Sequence, residues 1–425
     1  MRIAIVTRNA RVVGGVESYL DAIVPMLEAA GCEVGLFCEY AAPSTSQAIS
    51  RSGNAPTWCV AEIGAQRCFE SLERWRPDLI YSHGLTDVEM EARALAVAPS
   101  IVFAHDYRAT CISGSKSFAF PSHTPCSRIL GAGCVVNFYP RRCGGLSPLT
   151  MVADFRQATR RLALLRSARA VLTASDFVRA EYVRHGLAPA VVHCVGLPVI
   201  DRGGRLTPPL RPAGSPGEPL RLLYAGRMES IKGGGTLLDA LPVASAALSR
   251  PLVLTFAGDG GSRVEWAWRA ETMVRNHPTI RIEFTGWIDS AAMTAFFDSS
   301  DLLVVPSLWP EPFGLVGPEA GARGLPAAAF AAGGIPEWLT DGVNGALAIA
   351  LPPSAAGLAD AIVRCLRDPD HHARLRGAAI ELARRFTSER HLEALSRVIE
   401  ELAPSAAAFR LEAYGAAMST SSRMT

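Results

Sequence analysis

The chain of 425 residues is long enough for more than one hydrophobic core, so two domains are expected. Apolar residues make up 49% of the chain and charged residues 19%, which is typical of a globular protein and excludes a disordered one. The formal net charge of +2 excludes a globally basic nucleic-acid binder, so we expect no nucleic-acid partner.

The N-terminal segment, "MRIAIVTRNA", has an apolar run that is too short for the core of a signal peptide and instead predicts a first β-strand. No segment offers an uninterrupted apolar stretch of membrane-spanning length. We therefore expect a cytoplasmic protein, with peripheral contact at the inner face of the membrane as an open alternative. In that compartment the ten cysteines are expected to be thiols rather than disulfides.

The first half of the chain repeats a pattern of apolar strand, glycine turn and helix. The segment "VVGGVESYLDAIVPMLEAAG" predicts a helix that Gly14 and Gly15 open. Buried apolar strands that alternate with helices indicate a parallel sheet covered on both faces. The predicted strands of this half cover residues 3–7, 33–38, 78–82, 100–104 and 170–174.

Residues 106–150 interrupt this alternation with a loop-like insertion that contains four cysteines. They are separated by 14, 7 and 8 residues and include no tight Cys-x2-Cys pair, so the zinc signature is weak. Unligated thiols, a structural zinc site and disulfides all stay open. These cysteines are Cys111, Cys126, Cys134 and Cys143.

The segment "DFRQATRRLALLRSAR", residues 154–169, predicts a helix with five arginines. An arginine stripe of this kind suits an anionic membrane surface or a lipid-diphosphate acceptor. A solvated helix face is the alternative.

The alternation starts again after residue 219. The predicted strands here are "LRLLYAG", "LVLTFAG", "IRIEFTG", "DLLVVPS" and "LPAAAFA". The stretch "DRGGRLTPPLRPAGSPGEP" is rich in proline and glycine and predicts a linker over 201–219. The predicted organisation is α/β with two doubly wound domains, 1–200 and 220–386, then a terminal helix over 387–403 with Ser388 as its N-cap and a tail over 404–425.

Ligands of open α/β sheets bind beyond the carboxyl ends of the strands. After the strand "LRLLYA" come Arg227 and Lys232, and Gly233 to Gly235 then open the next helix. A guanidinium and an ammonium that converge on a helix N-terminus suit a diphosphate. Two surface charges beside a glycine turn are the alternative. At another strand end, Gly286 and Trp287 would let the backbone approach a flat base.

The segment "EPFGLVGPEA" places Glu311 and Glu319 eight positions apart. Pro312 disfavours a helical conformation at Glu311, whereas Pro318 is compatible with the first turn of a helix. The predicted helix therefore begins near Gly317 and carries Glu319 in its first turn. Simple complementation of the helix dipole by Glu319 is the alternative interpretation.

The segments "GRMESIKGG", "EPFGLVGPEAGARGLP" and "GGIPEWLTDGVNG" together resemble the donor half of a retaining glycosyltransferase of family 4. The resemblance implies the GT-B fold, in which two Rossmann-like domains face a cleft and the terminal helix returns to the N-terminal domain. It implies that Arg227 and Lys232 hold the nucleotide diphosphate of a nucleotide-sugar donor. It also implies that Glu319 binds the ribose and Glu311 the donor sugar. The backbone of Phe313, Gly314 and Leu315 would lie near the sugar and the phosphate.

The N-terminal half then corresponds to the acceptor side of such an enzyme. The resemblance implies that the backbone at Gly14 and Gly15 approaches the donor phosphate. It also places His105, in "FAHDYR", near the reaction centre, although a lone histidine is often structural. His83 also follows a predicted strand and is a weaker candidate.

The predicted function is retaining, hexosyltransferase-like transfer from a nucleotide-diphosphate sugar to a saccharide or lipid-linked acceptor, in polysaccharide or cell-envelope glycan synthesis. No cofactor and no catalytic metal are expected, because Arg227 and Lys232 already supply positive charge to the diphosphate. Two alternatives stay open: a nucleotide-sugar epimerase on the same fold, and a non-catalytic nucleotide-binding partner subunit.

Overall fold

The computed structural model describes residues 1–41, 47–51, 54–199 and 217–403. Its strands, in chain order, are β1 (Arg2–Asn9), β2 (Glu33–Tyr40), β3 (Thr57–Cys59), β4 (Leu79–Ser82), β5 (Ser100–Ala104), β6 (Ser117–Phe118), β7 (Thr124–Pro125), β8 (Ala170–Thr173), β9 (Val192–Cys194), β10 (Leu220–Ala225), β11 (Leu252–Ala257), β12 (Ile280–Gly286), β13 (Leu302–Val305), β14 (Ala327–Phe330) and β15 (Gly345–Ala348).

The helices cover these strands. They are α1 (Gly15–Ala29), α2 (Val60–Ile63), α3 (Ala65–Trp75), α4 (Val88–Leu95), α5 (Ala132–Asn137), α6 (Pro148–Ser167), α7 (Asp176–Arg184), α8 (Gly234–Leu248), α9 (Arg263–Asn276), α10 (Ser290–Ser299), α11 (Val316–Ala322), α12 (Ala355–Leu366), α13 (Pro369–Ala383) and α14 (Ser388–Leu402). Short 3-10 turns occupy Pro189–Val191, Ser230–Lys232, Ile335–Glu337 and Arg384–Phe386.

The first sheet has the strand order β3-β2-β1-β4-β5-β8-β9, and all its strand pairs are parallel. Its central strand β1 is completely buried from Ile3 to Thr7 because helices cover both faces of the sheet. The strand order reverses between β1 and β4, which is where a doubly wound sheet opens a crevice at its carboxyl edge. The loops that carry Gly14 and His83 follow these two strands.

The second sheet has the order β12-β11-β10-β13-β14-β15 and is also parallel throughout. Its order reverses between β10 and β13, so the crevice of this half lies beyond those two strand ends. The loop after β10 carries Arg227 and Lys232, and the loop after β13 carries Glu311. The predicted α/β architecture with two doubly wound halves is therefore confirmed.

Each sheet takes its strands from one side of residues 200–216, as the predicted domain organisation requires. The predicted linker, 201–219, lies almost entirely outside the described residues, and the predicted tail, 404–425, lies wholly outside them. The proposed domain limits of 1–200 and 220–386 stay a prediction.

The terminal helix returns to the first half, as expected. The Tyr19 hydroxyl on α1 donates a 2.8 Å hydrogen bond to Nε2 of His391 on α14, and Nδ1 of His391 donates to the Gly196 carbonyl at 2.7 Å. The prediction that Ser388 caps this helix was wrong. Thr387 is the N-cap, and its hydroxyl accepts the Arg390 N–H at 3.4 Å.

The insertion contains more regular structure than predicted, namely the antiparallel hairpin β6–β7 and the short helix α5. Helix α6 begins at Pro148 rather than at residue 154, because Ser147 caps it and proline suits the first helical turn. Of the helices in the described part of the chain, none combines the length and the apolar character that crossing a bilayer requires.

Candidate active site

The loop after β10 brings two cations to the crevice of the second sheet. The side chain of Arg227 is 71% exposed, and its Nη1 donates to Oε1 of Glu229 at 2.9 Å. Its backbone carbonyl accepts a 2.6 Å hydrogen bond from the Tyr224 hydroxyl, which fixes the loop against β10. The guanidinium therefore stands in an exposed position at the strand end and can reach an anionic ligand there.

Lys232 is much less exposed than Arg227 and lies where the loop turns into α8. The next residue, Gly233, has a φ of 74°, and a Cβ at this position would fall 1.8 Å from the carbonyl oxygen of Pro306. No other residue fits without moving the backbone. Glycine at this position thus allows the Lys232 loop to press against the loop that follows β13.

The ammonium of Lys232 reaches the carboxylate of Glu311 across this contact. Its Nζ lies 2.7 Å from Oε1 of Glu311, and the Ser307 hydroxyl donates to the same oxygen at 2.5 Å. Glu311 is only 6% exposed. The structure therefore brings together two residues that the sequence analysis had assigned to neighbouring parts of one ligand.

The surroundings of Glu311 keep it ionised. Burial alone would raise the pKa of Glu311, but the ammonium of Lys232 and the hydrogen bonds from Lys232 and Ser307 hold that pKa below its usual value. At neutral pH the site thus contains a buried carboxylate, whose oxygens can accept hydrogen bonds from hydroxyl groups.

The segment after Glu311 is held by an indole. The Nε1 of Trp338 donates to the Phe313 carbonyl at 2.7 Å, and a Cβ at Gly317 would fall 2.2 Å from the indole ring. Gly314 has a φ of 86°, which lets the chain turn sharply into α11. No side chain caps that helix, whose N-cap residue is Leu315. The turn is thus supported from behind by Trp338.

Glu319 lies half-buried in the first turn of α11, as predicted from Pro318. Its position and that of Glu311 are fixed by the same turn, so the two carboxylates flank the segment Phe313–Leu315. Gly286 ends β12, the outermost strand of the second sheet, and Trp287 is 77% exposed beside it. The roles of Glu319, Gly286 and Trp287 stay predictions.

An aromatic pair joins the two halves next to Glu311. The rings of Tyr107 and Trp309 meet edge to face with centroids 6.1 Å apart, and the Nζ of Lys232 lies 4.8 Å from the Trp309 ring centroid. Burial raises the pKa of Tyr107, and the nearby negative charge of Glu311 is the second largest cause that raises it. The segment that contains His105 and Tyr107 is thus packed beside the segment that contains Trp309 and Glu311.

A second contact between the halves involves the same turn. The Ser175 hydroxyl donates to the carbonyl oxygen of Pro312 at 2.5 Å, and the Phe177 N–H donates to Oε1 of Glu337 at 3.1 Å. Ser175 also caps α7 through the N–H of Val178. The Glu311 turn is therefore attached to both halves of the molecule.

His105 follows β5 and is held by a second histidine. Its Nε2 lies 2.8 Å from Nδ1 of His83, and its ring stacks on Phe103 with centroids 4.3 Å apart and planes 10° apart. Burial lowers the pKa of His105 to about 4. Burial also lowers the pKa of His83, and the neighbouring rings of His105 and His391 lower it further. Both imidazoles are neutral at pH 7.

The neutral pair has a preferred arrangement of protons. Within the described residues, Nε2 of His83 is buried without a hydrogen-bond partner. A buried N–H without an acceptor costs more than a buried lone pair without a donor, so Nδ1 of His83 carries the proton and donates it to Nε2 of His105. Nδ1 of His105 is then the protonated nitrogen. His83, the weaker candidate from the sequence, thus becomes the residue that orients His105.

The first glycine pair lies at the turn from β1 into α1. Gly14 is the N-cap of α1 in extended conformation, and Gly15 is the first helical residue. A Cβ at Gly15 would meet no atom within 4 Å, and at Gly14 the nearest atom would be Oε2 of Glu17 at 3.3 Å. Packing among the described residues therefore does not require glycine at position 15, and the approach of a donor phosphate to this backbone stays a prediction.

All ten cysteines are unbonded thiols in the structure. Burial raises the pKa of the Cys143 thiol to about 11, and the proximity of Cys111, Cys126 and Cys134 raises it further. The four cysteines therefore share one region of the insertion. Their sulfur atoms do not form a group within metal-sharing distance. The zinc hypothesis stays a prediction.

Among the residues that the structure describes, one group of three side chains could hold a metal ion. Ligand atoms of Asp176, Cys194 and Glu337 lie within 4.8 Å of one another. Asp176 is exposed, and the other two are half-buried. Burial raises the pKa of the Cys194 thiol to about 12, and the negative charges of the two carboxylates act in the same direction. Asp176 and Cys194 belong to the first half and Glu337 to the second, so the group forms a polar contact between the halves.

Several residues of the site were absent from the sequence analysis. Trp309 and Ser307 lie in the loop that precedes Glu311, so the strand-end rule could have suggested them. Tyr107 and Ser175 contact the second half through tertiary packing, for which the sequence offers no signal.

Two family models match the chain on either side of the predicted linker. The model described as Glycosyltransferase Family 4 matches residues 13–199, and the model described as Glycosyl transferases group 1 matches residues 219–368. The matches thus cover the two sheets in the order that the resemblance implied.

Curated relatives match shorter segments. The chain is 36% identical over 153 residues to the glycogen synthase of Mycobacterium tuberculosis, which is 36% of this chain and 35% of that protein. It is 32% identical over 194 residues to the phosphatidyl-myo-inositol mannosyltransferase of Mycobacterium leprae, covering 45% of this chain and 50% of the relative. The chain therefore spans about a third to a half of the length of the curated relatives it matches.

Solved structures match nearly the whole chain. HepE of Anabaena, in complex with UDP and glucose, has a TM-score of 0.62 at 18% identity, covering 95% of this chain and 99% of that one. WaaG, a glycosyltransferase involved in lipopolysaccharide biosynthesis, has a TM-score of 0.61 at 15% identity, covering 94% and 99%. At these identities the likeness establishes the fold.

Proposed function

Because the chain belongs to the family 4 glycosyltransferases and has the GT-B fold, we propose that it transfers a sugar from a nucleotide-diphosphate donor to a saccharide or lipid-linked acceptor. One observation carries the proposal. A buried carboxylate, Glu311, and a cation, Lys232, meet at the crevice of the second sheet and pack beside the segment that contains His105. This combination suits a ligand that has both a diphosphate and a hydroxyl-rich sugar.

In the proposed reaction the bond between the anomeric carbon and the diphosphate oxygen breaks, and an acceptor hydroxyl oxygen bonds to the same carbon. Negative charge develops on the leaving diphosphate. Arg227 and Lys232 would stabilise this charge, and a cation positioned in advance costs little reorganisation at the moment of reaction. The acceptor proton would leave with the diphosphate, so the products are a glycoside and a protonated nucleoside diphosphate.

Glu311 would orient the donor sugar, and Glu319 would bind the ribose. Carboxylate oxygens accept paired hydrogen bonds from neighbouring hydroxyl groups. Neutral His105 would use its Nδ1–H to donate a hydrogen bond to a hydroxyl or phosphate oxygen near the reaction centre, without adding a full charge. We further propose that transfer retains the anomeric configuration and follows the hexosyltransferase-like pattern of the resembling family, in polysaccharide or cell-envelope glycan synthesis.

The nucleotide can be proposed from the structural neighbours. The HepE structure contains UDP, so uridine diphosphate is the first nucleotide to test. We propose that no cofactor and no catalytic metal are needed, because two cations already serve the diphosphate. The epimerase alternative requires no acceptor, and the non-catalytic alternative requires binding without turnover.

A single assay separates these functions. The purified chain is incubated with a panel of nucleotide-sugars, with and without a cell-envelope extract, and release of nucleoside diphosphate is measured. Acceptor-dependent release, with an anomeric product configuration equal to that of the donor, supports the proposal. Conversion of the sugar with no release supports the epimerase, and tight donor binding with neither outcome supports the non-catalytic subunit. The His105→Ala variant should lower acceptor-dependent release while leaving the affinity for UDP unchanged.

A further inference from the structure

The insertion has an unusual charge composition. After Asp106, which pairs with Arg108 at 2.6 Å, the rest of the insertion and the start of α6, residues 107–153, contain neither aspartate nor glutamate. The whole chain carries 40 acidic residues against 42 basic ones. All of the lysine and arginine side chains in this segment are therefore unopposed by acidic residues of the same segment. They belong to Arg108, Lys116, Arg128, Arg141 and Arg142.

The same segment exposes large apolar side chains. Leu146 and Leu149 are 82% and 84% exposed, and Val136 is 72% exposed. We use the term insertion surface for the exposed apolar residues of this segment together with Arg128 and Arg142. The apolar members are Phe120, Ile129, Val136, Tyr139, Leu146, Leu149 and Val152.

Two arginines stand among these apolar groups. The guanidinium of Arg142 lies 5.1 Å from the ring centroid of Phe120, and that of Arg141 lies 5.0 Å from the ring centroid of Phe118. The Phe120 N–H donates to the Arg141 carbonyl at 3.1 Å, so these residues are neighbours in space as well as in composition. Cation and apolar surface are thus presented side by side.

Buried contacts attach the insertion to helix α7 and its C-cap residue. Lys116 is buried, forms an ion pair with buried Glu181 on α7, and donates to the Arg128 carbonyl at 2.5 Å. The Leu130 N–H donates at 3.0 Å to Nε2 of His185, the C-cap residue of α7. These buried contacts attach the insertion to the first half, while the apolar residues of the insertion surface are exposed.

The arginine stripe of helix α6 is a weaker docking surface than the sequence analysis suggested. Arg161 is 9% exposed, and its Nη1 donates to Oε2 of Glu91 at 2.5 Å. Arg160 pairs with Glu89 at 3.0 Å, and Arg166 donates to the His185 carbonyl. Three of the five arginines are thus occupied within the protein, and the exposed apolar residues lie outside the predicted stripe of 154–169.

We propose that the insertion surface docks on the face of an anionic lipid bilayer. Leucine, phenylalanine and tyrosine side chains that project from a basic surface suit the boundary between headgroups and acyl chains, and the cations suit anionic headgroups. A second copy of the chain is a poor occupant, because its identical surface would place arginine against arginine. The absence of acidic side chains in 107–153 is therefore the observation that selects an anionic partner over a second copy.

Docking in this position has a consequence for the site. The insertion begins next to His105, at the carboxyl end of β5, so the segment that would dock continues directly from a candidate site residue. A lipid-linked acceptor would then arrive from the membrane side. This consequence rests on the proposed function, whereas docking itself does not and can be measured without donor or acceptor.

The test is cosedimentation of the whole chain with phosphatidylcholine vesicles that contain phosphatidylglycerol, compared with vesicles of pure phosphatidylcholine. We expect binding to the anionic vesicles that weakens strongly between about 0.1 M and about 1 M NaCl, since screening shortens over this range. Leu146→Ser/Leu149→Ser and Arg128→Gln/Arg142→Gln should each reduce the partition coefficient about tenfold or more, with unchanged melting temperature.

Matched controls use exposed side chains elsewhere on the protein. Val264 and Ile349 are 82% and 74% exposed, so Val264→Ser/Ile349→Ser is the apolar control, and Arg275→Gln/Arg374→Gln is the charge control. Both should bind like the unchanged chain. No binding to anionic vesicles, equal binding to neutral vesicles, or equal losses in the controls would each overturn the proposal. None of these results depends on whether the chain transfers a sugar.

Discussion

The ammonium nitrogen of Lys232 lies 2.7 Å from Oε1 of Glu311, although 79 positions separate the two residues in the chain. The contact joins the loops that follow β10 and β13, which are adjacent strands at the point where the order of the second sheet reverses. Each residue holds the other in place before any donor arrives. This relationship leads to different expectations for the two cations of the site.

Lys232→Met should lower the free energy of unfolding by about 3 kcal/mol, because it leaves the buried carboxylate of Glu311 without its cation. Arg227→Ala should leave stability unchanged, since that guanidinium is exposed. Both variants should reduce turnover about 100-fold or more if both cations stabilise the leaving diphosphate. Chemical denaturation and initial rates measure the two effects separately.

The double variant Lys232→Met/Glu311→Gln is the control for stability. Neutralising both partners removes the unpaired charge, so most of the lost stability should return. If the double variant is as unstable as the sum of the single variants, the ion pair is not the cause. Turnover should stay low in the double variant, which separates the structural role of the pair from its proposed role in transfer.

The two glutamates should respond differently to ligands. Glu319→Gln should weaken binding of UDP about tenfold, because it removes a charged acceptor for the ribose hydroxyls. Glu311→Gln should leave UDP affinity nearly unchanged and impair transfer from the full nucleotide-sugar. Calorimetry with UDP and initial-rate measurements test this order, and the reverse order would show that the assigned roles are exchanged.

Gly15→Ala and Gly233→Ala form a matched pair. A Cβ at Gly15 meets open space, so stability should not change, whereas KM for the donor should rise if the phosphate approaches this backbone. A Cβ at Gly233 clashes with the Pro306 carbonyl at positive φ, so this variant should lose several kcal/mol of stability. A destabilised Gly15→Ala variant with normal KM would contradict the proposed ligand contact.

His391 should make the chain less stable as the pH falls. Burial lowers the pKa of His391 to about 4, below its usual value of 6.5, so between these values the unfolded chain binds a proton that the folded chain does not. Stability therefore falls as the pH is lowered through this window. At pH 4.5 the contribution is about 2 to 3 kcal/mol.

His391→Gln checks this expectation, because an amide can still accept from Tyr19 and donate to the Gly196 carbonyl but does not titrate. The loss of unfolding free energy between pH 7 and pH 4.5 should shrink by that amount. The buried histidines His83 and His105 remain in both proteins and provide the common background. An identical pH dependence in the two proteins would show that His391 does not contribute.

Transfer should not require a divalent metal, because Arg227 and Lys232 supply the positive charge that a metal would bring. EDTA should leave the initial rate unchanged over minutes. A slow loss of activity with a falling melting temperature would indicate a structural metal, and the four cysteines of the insertion would then be its candidate ligands. Immediate loss that Mg²⁺ or Mn²⁺ restores would contradict the metal-free proposal.

The main strands could be predicted because buried parallel strands are continuous apolar runs. The short strands β3, β9 and β15 were missed. Their sequences, "TWC", "VHC" and "GALA", are too short to show an apolar pattern that predicts a strand. All three are edge strands of their sheets. Pairing with a neighbouring strand decides their structure. The N-cap of α14 was misplaced by one residue because Thr387 and Ser388 are equally good caps in sequence.

The site could be predicted in its parts but not in its contacts. Strand ends and proline rules located Lys232, Glu311 and Glu319 separately. The pairing of Lys232 with Glu311 follows from β10 lying next to β13, and the strand order is a property of the whole sheet. The contact between Tyr107 and Trp309 depends on how the two halves meet, for which neither local segment carries a signal.

The return of the terminal helix determines how the cleft can move. The chain passes between the halves twice, and the two crossings touch, since the Val199 N–H donates to the Phe386 carbonyl at 2.7 Å. Because this hydrogen bond joins the crossings, we expect any opening of the cleft to bend the chain at Val199 and Phe386 together. The Phe386 ring also packs edge to face on Phe313, with centroids 5.3 Å apart. We therefore expect opening of the cleft to shift the turn that carries Glu311.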